Sequence, residues 1–203
     1  MERQIINLGF HGIGHPIGRD FGPGERDYWV SPELLRATLD ACAHRSDVSL
    51  SFDDGNWSDV AVVMPALRER NLTATFFVNV GRLGSPGFID RHDLRELAGA
   101  GMQIGNHGLS HLDLTRLDPA KFEHEVTQGR RLLEDLTGAA VQTLAIAYGA
   151  YDDAVLERLR RLDYQHVYTS DGGCADPEAW LQPREHLKAQ HTALDVARLL
   201  TQS

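Results

Sequence analysis

The residues best placed to do chemistry together are Asp53-Asp54 and the segment His107-Gly-Leu-Ser-His111. Neither pattern is rare alone. Ten histidines in a chain of this length produce about half of one His-x-x-x-His pair by chance, and His11 with His15 is a second such pair. Asp152-Asp153 likewise repeats the Asp-Asp pattern. Context separates the pairs. Asp53 and Asp54 follow the alternation Val48-Ser-Leu-Ser-Phe52 and precede Gly55, which places them at the C-terminal end of a predicted strand. Adjacent carboxylates there repel unless a cation or a proton lies between them. Asp152-Asp153 instead opens a predicted helix, where carboxylates complement the dipole and need no other role. His107 and His111 follow a short predicted strand, and their spacing predicts both imidazoles on one face of a helical turn, suited to a single metal ion. One carboxylate and two imidazoles, with positions left for water, describe a catalytic metal site rather than a closed structural one. A second carboxylate beside them is suited to take a proton from that water.

These residues need a scaffold that gathers strand ends. Predicted strands are Ile5–Phe10, Val48–Phe52, Thr73–Val80, Met102–Gly105, Val141–Ala147 and His166–Thr169. Predicted helices are Pro32–Ala43, Ser58–Arg70, Arg91–Ala100, Pro119–Leu136, Asp152–Leu162 and Leu194–Thr201. Ser31, Ser58 and Asp118 stand at expected helix starts, and Asn71, Gly101 and Gly138 at expected stops. Strand alternating with helix implies an α/β fold around a parallel sheet, open or closed into a barrel. The stretch Gly12–Asp27, rich in Gly and Pro, reads as a long loop after the first strand, and Gly81–Gly87 as another after the third. Loops after strand C-termini are where α/β folds place their chemistry.

Composition narrows the class of partner. At 203 residues the chain has room for one domain with a sizeable core. With 42% hydrophobic and 24% charged residues it reads as an ordinary soluble globular protein. A formal net charge of -9 argues against nucleic acid, which needs a basic face. Cys42 and Cys174 form neither a zinc motif nor a disulfide framework. No apolar run approaches membrane-spanning length, and the first residues lack the basic start and apolar stretch of a secretory signal. With Met1 as the native start, the expected location is the cytoplasm.

The motifs together resemble those of a known family. Ser51-Phe52-Asp53-Asp54-Gly55 resembles the first motif of the polysaccharide deacetylases, the NodB-homology domain of carbohydrate esterase family four. Gly105-Asn106 followed by His107-Gly-Leu-Ser-His111 resembles the second, and Leu144-Ala-Ile-Ala-Tyr148-Gly149-Ala-Tyr151-Asp152 the third. Thr73-Ala-Thr-Phe-Phe-Val78 is similar to the strand between the first two, and the order along the chain is the family's. The resemblance implies a distorted (β/α) barrel and a divalent metal, most often zinc, bound by Asp54, His107 and His111. It makes Asp53 the general base and the backbone N–H of Tyr148 an oxyanion donor, and it implies an N-acetylated sugar as substrate.

Three departures from the family pattern carry further expectations. Ala145, Ile146 and Ala147 stand where the third motif usually has an Arg and prolines, and the usual Arg steadies the catalytic Asp. Arg184, in Gln182-Pro183-Arg184, is the expected replacement from another strand. Ser51 stands where Thr is more usual. The C-terminal Leu-x-His segment that carries the catalytic acid is not evident, and His186 and His191 read as surface residues in polar, helical sequence. Leu8-Gly-Phe-His11-Gly instead resembles the opening of family members whose barrel is circularly permuted, which makes His11 the catalytic acid. Phe10, Trp57, Tyr148, Tyr151 and Trp180 are candidates to stack on a sugar ring. Two other readings stay open: a metal hydrolase of a non-sugar amide or cyclic imide, and a metal-binding pseudoenzyme. Retention of both Asp53 and Asp54 argues against the last, because a mere metal binder needs no base.

Overall fold

Strands alternate with helices along the described residues, 4–201 of this computed structural model. The first half contains β1 (Ile5–Phe10), β2 (Gly12–Ile13), β3 (Trp29–Val30), α1 (Pro32–Cys42), β4 (Val48–Asp54), α2 (Met64–Arg68), β5 (Thr75–Val78), α3 (Arg91–Gly99) and β6 (Gln103–Asn106). Then come α4 (Pro119–Glu123), α5 (Gly129–Thr137), β7 (Thr143–Ala145), α6 (Asp153–Arg160), β8 (His166–Tyr168), β9 (Cys174–Ala175), β10 (Leu181–Gln182), β11 (Glu185–His186) and α7 (Ala193–Leu199). The predicted helix over 58–70 begins as a π-helical segment, Asp59–Val63, and the one over 119–136 is interrupted by another, His124–Gln128. Helix starts follow local chemistry. Ser31 accepts from Leu34 N and Asp118 from Lys121 N, whereas Ser58 makes no cap and its Oγ instead accepts from Ile13 N of β2.

Eight strands run parallel in the order β10-β8-β7-β6-β5-β4-β1-β11, and β9 joins antiparallel to β1. β10 and β11 stand at opposite ends of this path, yet only Pro183 and Arg184 separate them in sequence. Successive Cα atoms are about 3.8 Å apart, so Gln182 and Glu185 lie within roughly 11 Å of each other. The sheet therefore has to curl until its two edges nearly meet, which gives the barrel. Side chains bridge the seam: Asn7 Nδ2 donates to Gln182 Oε1 and to the Pro183 carbonyl, each at 3.0 Å.

The two faces of each strand have different duties. On β1 and β4, Ile6, Leu8, Phe10, Leu50 and Phe52 join the apolar cluster shared with the surrounding helices. Phe10, Phe52 and Phe76 stack there from three neighbouring strands, at 5.0 and 5.2 Å between ring centroids. Such pairs add about 0.5–1.5 kcal/mol beyond the area they bury. The intervening residues Asn7, Gly9, Ser51 and Asp53 point the other way, and Asn7, Ser51 and Asp53 are also buried. Apolar residues thus hold the barrel from outside, and its polar inner face is free for chemistry. Among the described residues no helix is long and apolar enough to cross a membrane.

Candidate active site

Asp53 and Asp54 are neighbours on one strand, and strand geometry sends their side chains to different partners. Asp53 turns into the barrel, where Arg184 grips it as a fork, Nη1 to Oδ1 at 2.6 Å and Nη2 to Oδ2 at 2.8 Å. Arg184 is 1% exposed and also donates to Ser51 Oγ at 3.0 Å and to the Thr169 carbonyl at 3.2 Å. Its flat face lies 5.0 Å from the Phe77 ring centroid. The expected approach of Arg184 to Asp53 is therefore present in the structure. The seam explains it: the short link between β10 and β11 has to cross the gap, and its side chain fills the interior. Burial alone would raise the Asp53 carboxyl, but Arg184, aided by His107, holds it well below the usual carboxylate range.

Asp54 turns toward the two histidines of the second motif. Its Oδ1 lies 3.2 Å from His111 Nε2 and 3.8 Å from His107 Nε2, and is buried without a hydrogen bond of its own. Donor atoms of Asp54, His107 and His111 all lie within 4.8 Å of one another. The donor set fits a divalent ion. His107 Nδ1 sits 2.8 Å from the Ala145 carbonyl, which requires the proton on Nδ1 and leaves the Nε2 lone pair facing the carboxylates. Burial pushes the His107 imidazole down to about 4, against the pull of Asp53, so the ring is neutral and able to ligate. Burial would raise the Asp54 carboxyl, but the close approach of His111 and the other histidines holds it well below its ordinary value.

The convergence of His107 and His111 is not a helical turn. Residues 107–111 form a loop, with Gly108 at φ 84° and His111 itself at φ 56°. Two side chains to which sequence reasoning gave no role hold that loop. Glu125, buried in the π-helical segment, accepts from Ser110 N at 2.7 Å and from Leu112 N at 3.4 Å. Asn106 accepts from Gly108 N at 2.9 Å while donating to the Val126 carbonyl and to Tyr164 Oη, each at 2.8 Å. Asp54 and Tyr148 also take positive φ, 80° and 61°. Left-handed backbone costs a non-glycine residue about 1–2 kcal/mol, and among the described residues three of the five that adopt it, Asp54, His111 and Tyr148, lie at this site, the others being Asn71 and Asp163.

A cavity of about 690 Å³ opens over these groups and is lined by His11, Asp53, Asp54, His107, His111 and Tyr148 among others. His11 lies just past β1, with its Nδ1 buried and without a partner and its ring 4.7 Å from that of Tyr28. His15 points elsewhere, against Phe21. Tyr148 is 68% exposed, with its ring 4.5 Å from His111. The other four aromatic candidates do not line the cavity. Phe10 is fully buried in the outer core, and Trp57 donates to the His15 carbonyl. Trp180 packs against the separate apolar cluster of Leu144, Leu159 and Val167, and Tyr151 donates to Asp171 Oδ2 at 2.5 Å. Tyr28 and Phe88 take their place on the cavity wall. His186 also departs from expectation. It is not a surface residue on a helix but 8% exposed on β11, opposite Gly9 of β1. Two-residue strands carry no alternation, so nothing in the pattern marked it. Asp59, placed by sequence at a helix start, is fully buried with neither carboxylate oxygen partnered, and burial beside Asp54 and Asp53 raises its carboxyl well above its ordinary value.

Comparison with known proteins identifies the family and the fold. The sequence model of the polysaccharide deacetylase family matches residues 40–167. A chitooligosaccharide deacetylase of Rhizobium leguminosarum bv. trifolii is 31% identical over 140 residues, 68% of this chain and 60% of that protein. The putative polysaccharide deacetylase YxkH of Bacillus subtilis is 24% identical over 141 residues, 70% of this chain and 50% of that protein. The chain thus spans about half the length of the curated relatives it matches. Among solved structures, the deacetylase PplD of Streptococcus pyogenes in complex with acetate superposes with a TM-score of 0.85 at 20% identity, over 98% of this chain and 99% of that one. A polysaccharide deacetylase from Bacillus cereus gives the same TM-score and identity over 98% of this chain and 69% of its own. At that identity the superpositions establish the fold. The family match covers Asp53, Asp54, His107, His111 and Tyr148, while His11 and Arg184 lie outside it. This chain belongs to the polysaccharide deacetylase family.

Proposed function

We propose that this protein hydrolyses the acetamide of an N-acetylated sugar or sugar-containing precursor. The relatives named for deacetylation of chitooligosaccharide support the substrate class. Asp54, His107 and His111 would hold the divalent ion, with zinc the expected metal because two imidazoles and one carboxylate suit it. When bound, such an ion supplies Lewis acidity, easing deprotonation of water and polarising the amide carbonyl.

The chain's own groups have distinct tasks. Asp53 accepts the proton of the attacking water as its oxygen bonds to the acetyl carbon. The Tyr148 N–H donates to the oxyanion that develops there. Breaking the C–N bond releases acetate and leaves an amine that needs a proton, which His11 delivers. Arg184 keeps Asp53 ionised and aimed. The circularly permuted reading, in which β1 carries the acid at the start of the chain, is supported by β1 lying parallel beside β4 with His11 just past its C-terminal end.

One observation carries the proposal: adjacent carboxylates are assigned to different partners, Asp53 to Arg184 and Asp54 to the two histidines. A protein that merely binds metal has no use for the first. The test is acetate release from a panel of N-acetylhexosamine conjugates and simple amides, with metal content measured alongside. Asp53→Asn is expected to keep the metal and lose roughly 10²–10⁴-fold in turnover. Asp54→Ala, His107→Ala and His111→Ala are expected to lose the metal itself. Metal content unchanged in all of the last three refutes the site, and Asp53→Asn within about threefold of wild type refutes the base.

A further inference from the structure

Beside the first donor set stands a second, made of His11, Asp53 and His186, whose donor atoms also lie within 4.8 Å of one another. His186 is built into place. Its ring crosses the position that a Cβ on Gly9 would occupy, 2.7 Å from Cε1 and 2.8 Å from Nδ1, so only glycine on β1 lets it lie there. Its Nε2 is 3.2 Å from Ser170 Oγ, while its Nδ1 is buried with no partner. The Nδ1 of His11 is buried and unpartnered as well, and the two rings sit 5.0 Å apart. A carboxylate offers about four lone-pair sites, and the Arg184 fork occupies only part of them. Two orphaned imidazole nitrogens and a carboxylate, with a hydroxyl steadying one ring, form the arrangement of a borderline-soft metal site.

We propose that His11, Asp53 and His186 form a second, weaker divalent-cation site, and that filling it arrests the enzyme. The arrest rests on the roles given above to Asp53 and His11, which ligation would withdraw from proton transfer. The weaker affinity follows from charge. A dication there faces the buried guanidinium of Arg184 held in a fork on the same carboxylate, whereas Asp54 meets a looser 3.3 Å contact from Arg82, a third exposed. Imidazole donors favour zinc, copper and nickel over magnesium and calcium, so the site answers to excess transition metal.

Zinc titrated into metal-stripped protein, with bound metal measured by equilibrium dialysis, tests the site directly. Wild type is expected to bind a tight equivalent and a further one weaker by roughly tenfold or more, with acetate release falling as the further one fills. His11→Ala and His186→Phe should each retain only the tight equivalent, and His107→Ala only the weak one. Saturation of wild type at one equivalent overturns the proposal, as does a weak equivalent that survives in both His11→Ala and His186→Phe. If the buried His186→Phe substitution prevents folding, the half-buried His11→Ala decides alone. Loss of the tight equivalent in neither the Asp54 nor the His107 variant would instead strike at the primary site, so the two failures are distinguishable.

Discussion

Replacing Arg184 by Met removes the charge and the donors while keeping most of the side-chain length. The native guanidinium makes two bonds to Asp53, one to Ser51 and one to Thr169, all out of water. Breaking a buried pair by deleting one partner costs about 3–5 kcal/mol, chiefly because the other charge is left behind. For a domain of this size each kcal/mol lowers Tm by about 2–4 °C, so the expected drop is about 6–20 °C. The pH dependence has a definite sign. Asp53 titrates below its unfolded value of about 3.9, so the stabilisation is fully present above that pH and is lost as pH falls through the folded value. In Arg184→Met burial is left without its counter-charge and the Asp53 carboxyl titrates above its unfolded value, so the Tm gap should be widest at about pH 8 and should narrow as pH falls through that raised value and on into stronger acid. Arg184→Lys should fall between, since an ammonium restores charge but not the fork. Calorimetry across that range reads the stability, and acetate release at constant metal content reads the expected loss of roughly 10²-fold in turnover. A Tm drop under about 2 °C, or a gap unchanged down to pH 2, would refute the assignment of Arg184 as the anchor of Asp53.

Two other residues are open to direct test. Glu125→Ala should leave the Ser110 N–H unpaired and loosen the loop that aims His111, weakening metal affinity by about 10–100-fold at modest cost in stability; isothermal titration with zinc measures it, and unchanged affinity would dismiss the brace. Asp59→Asn should stabilise the metal-free protein, and the gain should grow as pH rises above about 4. The buried Asp59 carboxyl titrates above its unfolded value, so wild type loses stability across that window and the amide does not; a Tm difference flat from pH 4 to 8 would show that Asp59 is not held protonated.

Local sequence determined the periodic elements and the identity of the chemistry. Alternation in Val48-Ser-Leu-Ser-Phe52 already separates a packing face from a functional face, because side chains on a strand point to opposite sides whatever surrounds it. It also puts Asp53 and Asp54 at a strand end, and that local consequence survives folding. The pairing of His107 with His111 was legible as a spacing but not as a shape. A helical turn and a glycine-hinged loop both bring the rings together, and only Glu125 and Asn106, distant in sequence or local but silent, select the loop. The seam was decided by tertiary structure alone. β10 and β11 are too short to show a period, and their two-residue link becomes meaningful only when the sheet order sets them at opposite edges. That closure buries Arg184 against Asp53 and lays His186 across Gly9. Sequence records residue types and short-range spacing, which suffices to name the donors. The ring closure of the barrel is a long-range constraint, and it is what sets the Arg184 guanidinium against Asp53.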